Sequence, residues 1–247
     1  MVFAYIHMTR KGKRRRAFER SNAECTPVCP VHETVTDFDK ESLVQMLGFV
    51  PSNLYMVRAR DPATKAPQAC LMYPLSNTAR QEKLEPFPTI CWLTCTKLKG
   101  KVSALEGDGW VQKFEHRLRE NTGTHGKRMV AAHRLYARYR TSMLTEPDRE
   151  TVRQNGWGAA LGENRGVAGI TNNFAHLHSY TTGTVVAASL EQNKEGQVPM
   201  ATTWELSVKC LHAHLAHYLC FPQHGNVIGQ WTYEALQQAG EELNQKI

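Results

Sequence analysis

The 247-residue sequence lacks any apolar run close to the about 20 residues that a membrane-spanning helix requires. Residues 1–9 are too short and too mixed to be the apolar core of a secretory signal peptide, and basic residues follow them directly. We therefore expect a soluble intracellular protein without membrane contact. The cytoplasm is the expected compartment, with the nucleus and the mitochondrion as alternatives.

The sequence also lacks the short motifs that mark several large enzyme classes. It contains no P-loop, no G-x-S-x-G, no protein-kinase signature and no H-E-x-x-H. The glycines between Gly156 and Gly169 neither match G-x-G-x-x-G nor follow a convincing strand. These absences argue against nucleotide-binding enzymes, serine hydrolases of the nucleophile-elbow type and zincin proteases.

Cysteine is present, but its spacing is irregular. Seven is an odd number, which does not fit a secreted disulfide framework and indicates reduced thiols. Cys25 and Cys29 are separated by three residues rather than by the two of a zinc knuckle, so we expect no zinc there.

Basic charge is concentrated at the amino terminus. The net charge is +7, yet the first 23 residues hold seven basic side chains and one acid, whereas the rest of the chain holds 23 basic and 22 acidic groups. Such a tail favours contact with RNA or a ribonucleoprotein, while a nuclear address, part of a mitochondrial presequence and a solvated tail without a partner are alternatives. The basic residues are Arg10, Lys11, Lys13, Arg14, Arg15, Arg16 and Arg20.

The hydrophobic pattern predicts an α+β fold, with strands early and a helix-rich C-terminal half. We expect residues 1–36 to form a basic, disordered tail and linker, and residues 37–247 to form a single domain. In it, a small early sheet of three or four strands is covered by about six helices. The main strands are predicted at 54–60, 69–73 and 89–95, and the helices at 37–47, 98–106, 110–119, 128–144, 204–219 and 233–244.

Two further stretches have weaker patterns. Residues 162–202 are expected to be irregular, with one strand-like piece at 184–188, and residues 222–229 are expected to form a loop.

The stretch 203–219 organises the rest of the prediction. It reads as one amphipathic helix whose apolar stripe should face the sheet. Cys210, His214 and His217 stand at i, i+4 and i+7 on one flank, and His212 projects from the opposite flank. The stripe consists of Trp204, Val208, Leu211, Leu215 and Leu219.

Other candidate side chains come from separate elements. Cys95 ends the most apolar strand, and Asp61 follows the first strand. His133, Tyr136 and Arg140 share one face of the helix at 128–144. Because strand ends open onto clefts, we expect Cys95 and Cys210 to share a pocket with His214 or His217.

This set of residue types admits several interpretations. Thiolates with imidazoles suit zinc, with Cys95, Cys210, His214 and His217 as candidate ligands, and they also suit a thiolate nucleophile with a histidine base. Plain packing of buried cysteine and histidine and a non-catalytic ligand pocket are the alternatives. For the face that carries Arg140, the alternatives are an anion site and a partly solvated helix surface.

Two long motifs resemble the bacterial domain of unknown function 501 family. They are Pro86–Cys95, PFPTICWLTC, and Lys209–Leu219, KCLHAHLAHYL. The resemblance extends from about residue 37 to 231 and includes Glu106, His133, Tyr136 and the turn at 167–170. The chain departs from the family pattern in its basic tail, in Asp61 where a cysteine is usual and in Thr96 where a proline is usual. The resemblance implies a soluble intracellular domain and no particular activity.

Two functions from different classes follow. The first is an enzyme or ligand-binding domain with a Cys/His pocket between the Cys95 strand end and the Cys210 helix, for which zinc is the candidate cofactor. The second is a non-catalytic assembly protein that uses its basic tail to contact RNA or a ribonucleoprotein.

Overall fold

The computed structural model describes residues 35–78, 83–162, 165–170 and 206–244. In these ranges the α-helices are α1 (Asp37–Leu47), α2 (Thr96–Gly107), α3 (Trp110–Glu120), α4 (Lys127–Met143), α5 (Glu146–Gln154), α6 (Gly158–Leu161), α7 (Leu211–Cys220) and α8 (Val227–Asn244). The strands are β1 (Leu54–Arg60), β2 (Pro67–Met72), β3 (Leu75–Thr78), β4 (Lys83–Pro86) and β5 (Cys91–Leu93). The fold is α+β, as predicted.

The central sheet contains the three predicted strands in the order β1-β2-β5, and both pairings are antiparallel. Its middle strand, β2, is covered on both faces, because Ala69, Cys70, Leu71 and Met72 are all inaccessible to solvent. β3 and β4 form a separate antiparallel hairpin that periodicity did not predict.

The first helix begins with a capping box. Thr36 is the N-cap, and Asp39 completes a capping box by accepting from the Thr36 N–H and hydroxyl. Asp39 is buried and also pairs with Arg60 of β1, so the cap joins α1 to the sheet. The helix ends at Leu47, as predicted, and Gly48 caps it with a φ of 84°.

The organising helix is shorter than predicted. α7 begins at Leu211, and residues 206–210 approach it without helical structure. Two carboxylates hold this approach: the Val208 N–H donates to Glu115 over 2.7 Å and the Leu211 N–H donates to Glu106 over 2.6 Å. At the other end of α7, Arg58 donates two hydrogen bonds to the carbonyl of Cys220.

α7 lies at the centre of the fold, against β1, β2, β5, α2 and α8. Val208, Leu211 and Leu215 of the predicted stripe are buried in the main core, and Leu219 packs at its edge. α4 reaches the same core through Met129, Ala132 and Tyr136. The predicted cover of the sheet is therefore confirmed for α7, whereas α4 is shown only to share the core. Trp204 lies outside the described residues.

The other predicted helices agree with α2, α3 and α4 to within two residues at each end. The predicted loop at 222–229 is wrong. A 3₁₀ turn occupies Pro222–His224, and α8 begins at Val227, where the Asn226 side chain accepts the Gly229 N–H at 3.0 Å. That side-chain cap starts the helix six residues earlier than the apolar pattern indicated.

Several predictions fall outside the described residues. They concern the basic tail and its contact with RNA or a ribonucleoprotein, Cys25 and Cys29, and the strand-like piece at 184–188. These stay predictions, as does the division into a tail and one domain. Among the helices that the structure describes, none is both long enough and apolar enough to cross a bilayer.

Gly229→Ala should separate α7 from α8. A Cβ at this position would lie 2.3 Å from the carbonyl oxygen of His214 and 2.5 Å from Cβ of Tyr218. We expect the free energy of unfolding, measured by urea titration, to fall by about 3 kcal/mol or more, because backbone would have to move. Gly100→Ala is the matched control: it lies in α2 facing open space and should raise stability by about 0.5–1 kcal/mol. Equal changes in the free energy of unfolding for the two substitutions would contradict the close contact of α7 with α8 at Gly229.

Candidate functional site: a Glu–Cys–His triad and a buried histidine cluster

The structure divides the predicted Cys/His residues of this region into two groups, one at the start of α7 and one along its length. The first, which we call the triad, consists of Glu106, Cys210 and His212. The second, which we call the histidine cluster, consists of His133, His214, His217, His224 and Asn226.

The triad forms where the last turn of α2 meets the start of α7. Glu106 is in α2, Cys210 is the N-cap of α7, and His212 is in the first turn of α7. One donor atom from each residue lies within 4.8 Å of the others. The side chains of Glu106 and His212 are 28% and 26% exposed, so the group is accessible from solvent.

The hydrogen bonds of His212 determine which ring nitrogen faces the other two residues. Nε2 lies 3.1 Å from the carbonyl oxygen of Lys99, which can only accept, so Nε2 carries a proton. Nδ1 lies 3.3 Å from Oε1 of Glu106. In a neutral ring, Nδ1 then has a lone pair that faces the negative carboxylate of Glu106, and this contact is unfavourable. A second proton on the ring or a metal cation between the two groups would remove the repulsion.

The thiol of Cys210 is not activated by its surroundings. Burial raises its pKa, and the negative charge of Glu106 raises it further. The thiolate is therefore scarce near neutral pH unless a cation is bound. This environment does not support the interpretation of Cys210 as a thiolate nucleophile.

The histidine cluster is almost wholly enclosed. His133, His214, His217 and Asn226 are inaccessible to solvent, and His224 is half-buried. Since the Gly229 N–H fixes Oδ1 of Asn226 as an acceptor, Nδ2 donates to Nδ1 of His217 over 2.9 Å. Nε2 of His217 must then carry the proton, which it donates to Nδ1 of His224 over 2.9 Å.

His133 joins the cluster from α4. Its Nδ1 accepts the Val167 N–H at 3.0 Å, and its ring centre lies 5.9 Å from that of His214. Gly166 allows this contact, because a Cβ there would lie 2.5 Å from Nδ1 of His133. The short turn at 166–170 is thus pressed directly against the ring.

Burial keeps these rings neutral. It lowers the pKa of His133 to about 3, with a smaller effect from His214, and lowers the pKa of His214 to about 4. The pKa of His217 is held well below its ordinary value, again first by burial and then by neighbouring histidines. A neutral histidine cluster is suited to hydrogen bonding, and it lacks the positive charge that would attract an anion.

The predicted face of α4 is buried rather than partly solvated. The Tyr136 hydroxyl donates to the carbonyl of Pro88 and accepts the Ile90 N–H. Arg140 is 1% exposed and donates to main-chain carbonyls of Pro88, Leu161, Gly162 and Arg165. Because the guanidinium N–H groups of Arg140 already donate to these carbonyls, the arrangement does not support the predicted anion site.

Cys95 and Asp61 take other places. Cys95 is the N-cap of α2, at the opposite end of that helix from Glu106, and it is not a member of the triad. Asp61 accepts from the main-chain N–H groups of Ala63 and Thr64 in the turn after β1, and the Thr64 bonds are the main reason for its lowered pKa. Among the described residues, the expected grouping of Cys95, Cys210, His214 and His217 is replaced by the triad.

The remaining described cysteines support the packing interpretation. Cys70, Cys91 and Cys220 are buried in the core. Burial raises the pKa of Cys70 to about 12 and that of Cys91 well above its ordinary value. These thiols behave as small apolar side chains.

Three residues of the two groups were not selected as site residues. Glu106 was named only through the family resemblance, because a glutamate in a predicted helix is an ordinary surface residue. Asn226 could have been found as an N-cap before the apolar residues Val227 and Ile228. His224 stands seven residues after His217, but a turn rather than a continuous helix brings the two rings together.

Comparison with known proteins supports the resemblance. A family model described as "Protein of unknown function (DUF501)" matches residues 57–234, a range that includes every member of the triad and of the histidine cluster. No curated protein and no solved structure matches the chain.

Stability should fall as the pH is lowered from 7 to 5. The folded-state pKa values of His133 and His217 lie below the unfolded value of about 6.5, so the unfolded chain binds more protons in this window. The stability that the neutral buried rings contribute is fully present above about pH 6.5. It is lost as the pH falls below that value, at up to roughly 1.4 kcal/mol per pH unit for each histidine. Urea titrations at pH 7, 6 and 5 measure this slope. His116→Gln, at an exposed position, should leave it unchanged, and a flat profile would contradict the buried neutral rings.

Arg140→Lys should be strongly destabilising. An ammonium group cannot reach the four carbonyls that the guanidinium bridges, so buried acceptors are left without donors. We expect a loss of about 3 kcal/mol in the free energy of unfolding. Arg138→Lys, on the exposed side of the same helix, is the control and should change stability by less than about 0.5 kcal/mol. Similar losses in the two variants would show that the bridging is unimportant.

Proposed function

The chain belongs to the DUF501 family of proteins of unknown function, and we propose that it binds a divalent transition-metal ion of the zinc type through Glu106, Cys210 and His212. The single observation that carries this proposal is the convergence of a carboxylate oxygen, a thiol sulfur and an imidazole nitrogen within 4.8 Å of one another. Sulfur, nitrogen and oxygen donors in this combination suit zinc better than calcium or magnesium, which prefer oxygen alone.

The surroundings of the ligands support the proposal. A histidine that binds a metal commonly donates its other ring N–H to a main-chain carbonyl, and His212 does so to Lys99. Glu106 in turn accepts the Leu211 N–H, which holds its carboxylate in place. Both side chains are therefore oriented before an ion arrives.

A bound cation would also remove the unfavourable contact between the His212 ring and the Glu106 carboxylate. The cation would lie between the Nδ1 lone pair of His212 and the Glu106 carboxylate. It would also lower the pKa of the Cys210 thiol, which burial and Glu106 raise in its absence. Metal binding consequently releases a proton from Cys210, and affinity should increase with pH.

Three protein ligands leave one position of a tetrahedral ion for water or another small ligand, and the partial exposure of the triad gives that position access to solvent. The ion would also tie the end of α2 to the start of α7, where Leu211 enters the core. We therefore expect metal binding to stabilise the fold as well as to supply an open coordination position.

The test is metal binding by wild type and matched variants. Purified protein is stripped with a chelator and titrated with Co²⁺, whose thiolate charge-transfer absorption reports a cysteine ligand, and with Zn²⁺ in competition. Cys210→Ser should abolish the thiolate band, and His212→Gln and Glu106→Gln should weaken binding at least about tenfold. Cys95→Ser, another half-buried cysteine at a helix N-cap, should bind one ion like wild type.

The same titration followed by thermal unfolding gives a second measure. Zinc should raise the melting temperature of wild type and of Cys95→Ser, and it should have little effect on Cys210→Ser. Absence of a stoichiometric ion in wild type, or retention of the thiolate band in Cys210→Ser, would overturn the proposal.

A further inference from the structure

Two buried ring nitrogens of the histidine cluster lack a hydrogen-bond partner. They are Nε2 of His133 and Nε2 of His214, and neither atom has a partner among the residues that the structure describes. Both residues are fully enclosed. Buried polar atoms without partners are uncommon in folded proteins, and an internal water molecule is a frequent explanation.

The proton on His133 can be placed. Nδ1 uses its lone pair to accept the Val167 N–H. A neutral imidazole has one N–H and one lone pair, so Nε2 of His133 carries the proton and needs an acceptor. This placement excludes a metal ion as the missing partner, because Nε2 has no lone pair to offer.

The proton on His214 can take either of two positions. Nδ1 lies 3.3 Å from Oδ1 and 3.2 Å from Nδ2 of Asn226, so it can donate to the first or accept from the second. Nε2 of His214 is accordingly an acceptor in one case and a donor in the other. A suitable partner must accept from His133 and either donate to or accept from His214.

We propose that one internal water molecule bridges Nε2 of His133 and Nε2 of His214. Water can both donate and accept, so it fits either proton position on His214. The two ring centres lie 5.9 Å apart, so the rings are direct neighbours, and a single oxygen can bond two nitrogens that are separated by up to about 5.8 Å. The oxygen would thus lie between α4 and α7.

An anion is a poorer occupant of this position. Burial lowers the pKa of His133 to about 3 and that of His214 to about 4, so both rings are neutral at pH 7. Arg140, the buried arginine of α4, is directed at main-chain carbonyls. A charged group placed between the rings would have no counter-charge within the cluster as described.

The water would extend the hydrogen-bonded chain that begins at the half-buried His224. That chain runs through His217 and Asn226 to His214, and the water would continue it to His133 and to the turn at Val167. It would join α4, α7 and the start of α8 by polar contacts inside an apolar core. This site is distinct from the triad and does not depend on metal.

The decisive measurement is a crystal structure of the wild-type protein at a resolution that shows ordered water. We expect a single oxygen peak within hydrogen-bond distance, about 2.6–3.2 Å, of both Nε2 atoms. A side chain or an ion at this position, or the absence of any peak, would overturn the proposal.

Oxygen-17 magnetic relaxation dispersion provides an independent count of long-lived internal water. His214→Phe keeps an aromatic ring but removes the nitrogen, and it should contain one such water fewer than wild type. His116→Phe, an exposed position on α3, should keep the wild-type count. An unchanged count in folded His214→Phe would contradict the bridge, and if that variant does not fold, the wild-type crystal structure decides.

Discussion

The start of α7 depends on one hydrogen bond, from the Leu211 N–H to the carboxylate of Glu106 at 2.6 Å. A negative charge at a helix N-terminus is favourable, because the first N–H groups have no partner within the helix. The guanidinium of Arg58 meets the carbonyl of Cys220 at the opposite end, so charges of the favourable sign lie at both ends of this helix. Leu211 and Leu215 are thereby held against the sheet.

Both candidate sites follow from this placement of α7. At its start, the carboxylate that caps the helix also approaches Cys210 and His212, so one side chain serves the fold and the triad together. Farther along, the same helix directs His214 and His217 into the core, where Asn226 at the start of α8 meets them. Gly229 permits the close approach of α8 that this meeting requires.

Arg140 and the buried histidines lie in the interior without an acidic partner in the described part of the chain. Arg140 is enclosed by carbonyl oxygens, and the buried histidines keep their neutral form because burial lowers their pKa. Proton positions then decide which ligands each site can accept. His212 uses Nε2 as a donor and leaves Nδ1 for a cation, whereas His133 uses Nδ1 as an acceptor and leaves an N–H for an oxygen.

The α+β class, the three strands of the central sheet, the family and the bounds of α1 to α4 could be predicted from the sequence, because apolar periodicity and two long motifs are local signals. The sequence also indicated that Cys210 and His212 flank the helix that enters the core. The start of this helix at Leu211 could not be predicted, since a carboxylate from α2, about a hundred residues away, accepts its first N–H. The grouping of Glu106 with Cys210 and His212, and of Asn226 with the buried histidines, likewise depends on distances between elements. Periodicity reports which face of a helix is apolar, but it carries no information on which distant side chain will meet the polar flank.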